Sequence, residues 1–260
     1  MRKIFTLIFV LSFVMNVTAQ TNKRVIDGKP DDVATAANIA EFTALSGDVD
    51  LTLKNAEVLY TFTTSVGATE CYVRDNSGAV LFRNTGLTLE KDDVVNGVVT
   101  LRSTSFFGLP MANNSTWTDP NDVTTKKGDA VKAKEIAISD VANYVNDLIS
   151  VSNIEITSDG AKFYAEDSKG DKLEVSNYFG LPQYKDLPTR VGAKGMVRGI
   201  VNRYIDSYKL YLVEGSSATD VSMPRISVEE DGNIYNLNGQ RVDSNYRGVV
   251  ISGGKKKINK

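Results

Sequence analysis

Tyr72 and Arg74 stand two residues apart at the start of the block ECYVRDNSGAVLF (Glu70–Phe82). In an extended strand, residues i and i+2 share one face, so ring and guanidinium lie side by side. An aromatic beside a cation stacks a base or a sugar ring. Phe82 and Arg83 close the same block, and Phe106 and Phe107 supply two more rings from a later loop. A second block, KFYAEDSKGDKLEV (Lys162–Val175), carries Tyr164 and Glu166 in the matching places, followed by Tyr178, Phe179 and Tyr184. Losing the arginine weakens phosphate tracking there. The ligand-binding candidates are therefore Tyr72, Arg74, Phe107, Tyr164 and Tyr178. The competing role for these rings is to fill two small cores. Trp117, the one tryptophan, is either an exposed sugar platform or an anchor packed against a barrel.

Other chemistries lack their residues. The chain has no histidine and one cysteine. That removes Ser-His-Asp and Cys-His nucleophiles, the HExxH helix, and thiolate or imidazole zinc sites within one chain. No phosphate-cradling glycine loop joins a strand to a helix. Carboxylate pairs occur at Asp31/Asp32, Asp92/Asp93 and Glu229/Glu230. A glycosidase needs two carboxyls held about 5–9 Å apart across a deep cleft, whereas these pairs sit in turn-like, polar surroundings. EEDGN (Glu229–Asn233) lacks EF-hand spacing and reads as a turn. No catalytic residue, cofactor or metal ligand is predicted, although carboxylate-only catalysis stays open. Cys71 lies in a strand, where a buried structural thiol is the ordinary role.

The two blocks belong to a longer repeat. Tyr72, Asp75 and Gly78 match Tyr164, Asp167 and Gly170 at one constant offset. Gly97, in VVNGVVTLR, matches Gly195, in AKGMVRGIVNRY, at a larger one. Each unit then has about five strands: a hairpin around Asn76-Ser77-Gly78 or Ser168-Lys169-Gly170, a glycine-bent strand, and a variable crossover before the fourth strand. Val33–Leu45 has helical character and suits the end of a barrel. The expected fold class is all-β, with two tandem small Greek-key barrels of the oligonucleotide/oligosaccharide-binding (OB) type and a short C-terminal β-hairpin tail. The expected boundaries are a signal peptide at 1–19, a polar leader at 20–32, a first barrel at 33–118, a linker at 119–129, a second barrel at 130–218 and a tail at 219–260.

The N-terminus reads as a secretory signal. Arg2 and Lys3 precede the apolar run Ile4–Met15, and Val17 and Ala19 supply the small residues before a cut between Ala19 and Gln20. Removing Arg2 and Lys3 from the 30 basic residues leaves 28 against 32 acidic ones, a net of −4. That is no global attractant for nucleic acid.

The residues YVRDNSGAVLF, DDVVNGVV, YAEDSKGDKLEV and GAKGMVRGIV resemble the tandem OB-like modules of exported proteins of anaerobic diderm bacteria. The resemblance spans roughly Ala36–Glu214. The segment IYNLNGQRV with RGVVISGGKKK is similar to the C-terminal sorting tails of type IX secretion, with Arg247 in place of a lysine and Val250 in place of an aromatic. The resemblance implies export to the cell surface or medium, with the periplasm as the alternative. The expected function is non-enzymatic binding of an extracellular polymer or a partner protein. The rivals are a carbohydrate-binding module, which needs exposed coplanar aromatics, a nucleic-acid binder, which needs a continuous basic groove, and a structural component of the cell surface.

Overall fold

The computed structural model describes residues 28–216, 234–236, 241–242, 247–252 and 255–259. The predicted signal peptide with its Ala19/Gln20 cut, the start of the leader and Glu229/Glu230 lie outside the described residues. The molecule is all-β, with two closed five-stranded barrels. It divides into two compact units. One is the chain up to Thr104 with Met111–Asp129; the other is Ser105–Pro110 with the chain from Ala130. No described helix is long and apolar enough to cross a membrane.

In the first unit, β1 (Ala34–Ala36) leads to α1 (Ile39–Ala44) and to the long strand β2 (Gly47–Thr63). Then follow β3 (Thr69–Arg74), β4 (Ala79–Arg83), β5 (Asp93–Phe106), β6 (Leu109–Asn114) and β7 (Val123–Lys127). The barrel closes in the order β2-β3-β4-β6-β5, with β5 returning to β2. β4 and β6 run parallel and the other barrel pairs for which a register is described run antiparallel. Alternation builds the core: Val49, Leu51 and Leu53 on β2 point inward with Val99 and Leu101 on β5. α1 closes one end. Asn38 caps it by accepting the Glu41 N–H, and Glu41 accepts the Ala37 N–H in return. Ile39 and Phe42 are thereby pressed into the core.

The second unit repeats the plan. β8 (Lys134–Glu135) and the 3-10 turn Ile138–Tyr144 precede β9 (Leu148–Ser158), β10 (Phe163–Glu166), β11 (Lys172–Ser176), β12 (Lys194–Tyr204) and β13 (Ser207–Leu212). Closure runs β9-β10-β11-β13-β12, again with one parallel pair, β11–β13. The crossover before β12 is two 3-10 turns that place Tyr184 and Leu187 in the core. The Tyr184 hydroxyl donates to the Val213 carbonyl at 2.6 Å, so its one polar atom is satisfied inside.

Three expectations change. Residues 119–129 are no free linker: Pro120–Asp122 forms a 3-10 turn, and β7 pairs along β5 from Asp93 to Gly97. The tail is more than a hairpin: β14 (Ile234–Asn236), β15 (Arg241–Val242), β16 (Gly248–Ser252) and β17 (Lys255–Asn259) make a four-stranded sheet in the order β15-β14-β16-β17. The repeat is real in topology, but its glycines are displaced. Each first strand bulges at an asparagine with positive φ, Asn55 at 51° and Asn153 at 58°. Next to these bulges, Val95 faces Ala56 and Gly195 faces Ile154. Gly97 is therefore level with Val197, not with Gly195. The hairpin turns also differ, with Arg74 facing Ala79 in one and Glu166 facing Lys172 in the other. Gly170 takes φ +86°, while Gly78 stays out of the left-handed region and its turn is held by Asp75.

Candidate functional site

Two of the first-barrel candidates, Tyr72 and Arg74, are covered. Tyr72 and Arg74 do share the outward face of β3, as alternation requires, yet they are only 1% and 7% exposed. Arg74 lies opposite Glu57 and pairs with its carboxylate at 2.6 Å. Alternation gives direction, not what lies over a face, and this face is buried. Cys71 packs against the core, and burial, with Asp93 nearby, pushes its thiol well up from the ordinary range. Trp117 is half-buried with its ring beside Gly28.

The outer face of the second barrel is a lattice of ion pairs. Glu174 on β11 meets Lys162 at 2.9 Å and Lys209 at 2.8 Å, Glu166 meets Lys172 at 3.1 Å, and Glu155 meets Lys194 at 3.3 Å. Burial raises the Glu174 carboxyl, and its two ammonium partners outweigh this, leaving it below its usual value. Tyr164 sits inside this lattice with Lys172 over its ring at 5.9 Å. A cleft of about 480 Å³ opens at the bulge of this barrel, among Asn153, Glu155, Glu166, Asp167, Lys194 and Gly195. Its basic residue is matched by a carboxylate, so it offers no continuous basic track. Among the described residues, no group of three or more His, Cys, Asp or Glu is arranged to hold a metal.

The Tyr164 hydroxyl donates to Asp159 at 2.8 Å, and the Ala161 and Lys162 amides donate to the same carboxyl. Tyr164 first, then the two amides, hold Asp159 down at about 2. A depressed carboxyl contributes stability above its unfolded pKa, near 3.9, and loses it as pH falls toward 2. NMR titration of the Asp159 side chain is expected to show its midpoint near 2. Tyr164→Phe should move that midpoint upward; an unchanged midpoint would remove the hydroxyl as the main cause.

Four exposed apolar groups meet in the second unit, which takes in the Ser105–Pro110 turn joining β5 to β6. Phe106 and Phe107 are 56% and 51% exposed, and Tyr204 and Ile205, at the β12–β13 turn, are 46% and 51% exposed. Phe106 meets Phe107 edge-on at 4.7 Å, and Phe107 meets Tyr204 at 4.9 Å with the rings tilted by 49°. The Ile205 N–H donates to the Phe107 carbonyl at 2.6 Å, and Arg203 Nε donates to the Ile205 carbonyl at 2.8 Å. Two tight turns are thus tied into one ridge. Both use positive φ where glycine or asparagine is preferred: Phe107 at 49° and Ile205 at 58°. A β-branched residue there is an outlier, at about 1–2 kcal/mol.

Phe107 is thus the one sequence-predicted site residue that joins the ridge. Tyr178 lies apart, stacked on Tyr211 at 4.2 Å and 13° with Phe179 edge-on to both. Tyr204 and Ile205 were missed. Ile205 carried a signal: the two-residue turn between β12 and β13 is Ile205-Asp206, and such a turn normally takes Gly, Asn or Asp at both places. Tyr204, the last residue of β12, carried none.

No family model and no curated protein matches the chain. Among solved structures, one described as the molecular basis for abrogation of activation of pro-inflammatory cytokines is 14% identical, with a TM-score of 0.27. The match covers 63% of this chain and 90% of that one. Another, described as structural mimicry for functional antagonism, is 12% identical with a TM-score of 0.25, over 62% of this chain and 90% of that one. Similarity this slight supports no functional transfer.

Proposed function

We propose that this chain is an exported, non-enzymatic binding protein that grips a partner protein through the ridge Phe106-Phe107-Tyr204-Ile205. The observation that carries this is the ridge itself. Phe106, Phe107 and Tyr204 stand about half exposed in a run of ring contacts, and Ile205 is tied to Phe107 through its backbone N–H. Phe107 and Ile205 occupy turn positions that local preference would have given to Gly, Asn or Asp. Contiguous exposed apolar groups mark interaction surfaces, and backbone outliers concentrate at functional sites. Aromatic anchors with a polar rim, here Arg203 and Asp206, are what protein interfaces use. The ring planes, at 73° and 49° to one another, do not form the flat platform a sugar needs. The ion-paired lysines of the second barrel weigh against a nucleic acid.

The test is site-specific photo-crosslinking. Benzoylphenylalanine at position 107, in protein produced by the native cell, should give a discrete protein adduct that is absent when the probe stands at the exposed Val66. Equal labelling at both positions, or no adduct at 107, would remove the ridge as a contact surface.

Export rests on the Arg2–Ala19 pattern, and surface sorting on the tail. Deleting residues 226–260 should leave the barrels' thermal unfolding nearly unchanged and strand the protein in the periplasm. Loss of the second barrel's cooperative transition would make the tail a structural cap. Arrival at the surface without it would end the sorting role.

A further inference from the structure

On the first barrel, Asp50 and Thr100 face each other across the β2–β5 pair. Their neighbours Val49, Leu51, Val99 and Leu101 belong to the core, so Asp50 and Thr100 point outward. Both are nevertheless only 2% exposed. What meets them is Lys29, whose ammonium contacts the Asp50 carboxylate and donates to Thr100 Oγ1 at 2.6 Å. The Thr100 hydroxyl in turn donates to Asp50 at 2.7 Å. Lys29 belongs to no strand or helix and precedes β1; its side chain is 11% exposed. The cation therefore comes from outside the barrel, while both acceptors are fixed on its two longest strands.

The surroundings are equally fixed. The turn Ser115–Thr118 is pinned to β5 by the Thr118 hydroxyl, which donates to the Thr100 carbonyl at 2.7 Å. That turn carries Trp117, whose ring stands beside Gly28, the residue just before Lys29. Asp48, two residues before Asp50 on the same face, is matched by Arg102 at 3.0 Å. A second cation arriving here is matched by Asp50. A carboxylate and a hydroxyl side by side suit the compact, three-donor ammonium of lysine better than the planar fork of arginine.

We propose that the outer face of the first barrel carries a socket for a primary ammonium group, the side chain of lysine, which the chain's own Lys29 fills. A lysine-bearing polypeptide would compete with this N-terminal segment for Asp50 and Thr100. The socket is distinct from the ridge and does not depend on it.

The experiment is chemical rescue in the full chain. Lys29→Ala empties the socket, and n-butylammonium restores the missing four-carbon amine. The thermal midpoint of Lys29→Ala should rise saturably with n-butylammonium, by about 5 °C at ten times its half-saturating concentration. The emission of Trp117, the one tryptophan in the chain, should follow the same isotherm. Tetramethylammonium, which cannot donate a hydrogen bond, should do neither. The unsubstituted protein should not respond, and the double variant Lys29→Ala/Asp50→Asn should not be rescued. If Lys29→Ala does not fold unaided, its recovery on refolding with n-butylammonium but not tetramethylammonium is the supporting result. A response that is equal for the two cations, that survives Asp50→Asn, or that never occurs overturns the socket.

Discussion

Gly97→Val is expected to unfold the first barrel at far lower temperature while the second keeps its transition. Gly97 lies on β5 between Leu53 of β2 and Val123 of β7, at φ +142°, a conformation open essentially to glycine alone. A Cβ placed there would lie 2.1 Å from the Asp122 carbonyl oxygen and 2.9 Å from Val123 Cα. Those are backbone atoms, so no rotamer change relieves the clash and β7 must leave the sheet. The forced φ costs about 1–3 kcal/mol and the overpacking about as much again. A summed loss of about 2–6 kcal/mol lowers the midpoint of a domain this size by at least about 10 °C. Gly78→Ala is the contrast, since a Cβ there meets nothing within 4 Å and the backbone is not left-handed. It should shift stability by under about 0.5 kcal/mol. Calorimetry that finds the two variants alike would contradict the geometry at β5 and β7.

That clash also explains what the sequence hid. Alternation in Val49–Leu53 and Leu210–Leu212 exposes the strands directly, because one face of each is core. β7 gives no such signal. Its sequence, VTTKK, is half-buried at one end and exposed along the rest, and it holds to the sheet through backbone pairing with β5. The matching of Gly97 with Gly195 failed for a related reason. Two glycines near one bulge look equivalent in sequence, while the register follows the bulging asparagines, Asn55 and Asn153, on the other strand. Tyr72 shows the limit on the site side. Period-two alternation correctly places it outward with Arg74, but it carries no information about burial of the outer face. Phe107 was legible as a loop aromatic; its meeting with Tyr204 is a long-range contact that no local pattern encodes.

The second large effect concerns the ridge. Phe107→Ala with Tyr204→Ala removes the two central rings, which touch at 4.9 Å. Buried aromatic anchors carry about 2–4 kcal/mol each when truncated at an interface, so affinity for the partner should fall at least about 30-fold. Because both rings are half exposed in the free protein, the thermal midpoint should hardly move. Ile205→Gly separates the two effects further. It relieves a β-branched residue held at φ +58°, so stability should hold or rise while binding weakens. The deciding measurement is calorimetric titration of the purified protein captured by the position-107 crosslink against the unsubstituted chain, the Phe107→Ala/Tyr204→Ala variant and Tyr178→Ala. The ridge account predicts unchanged affinity for Tyr178→Ala and a loss of at least about 30-fold for the double variant, with its fold intact. Equal affinity across all three proteins, or a loss confined to Tyr178→Ala, would contradict it.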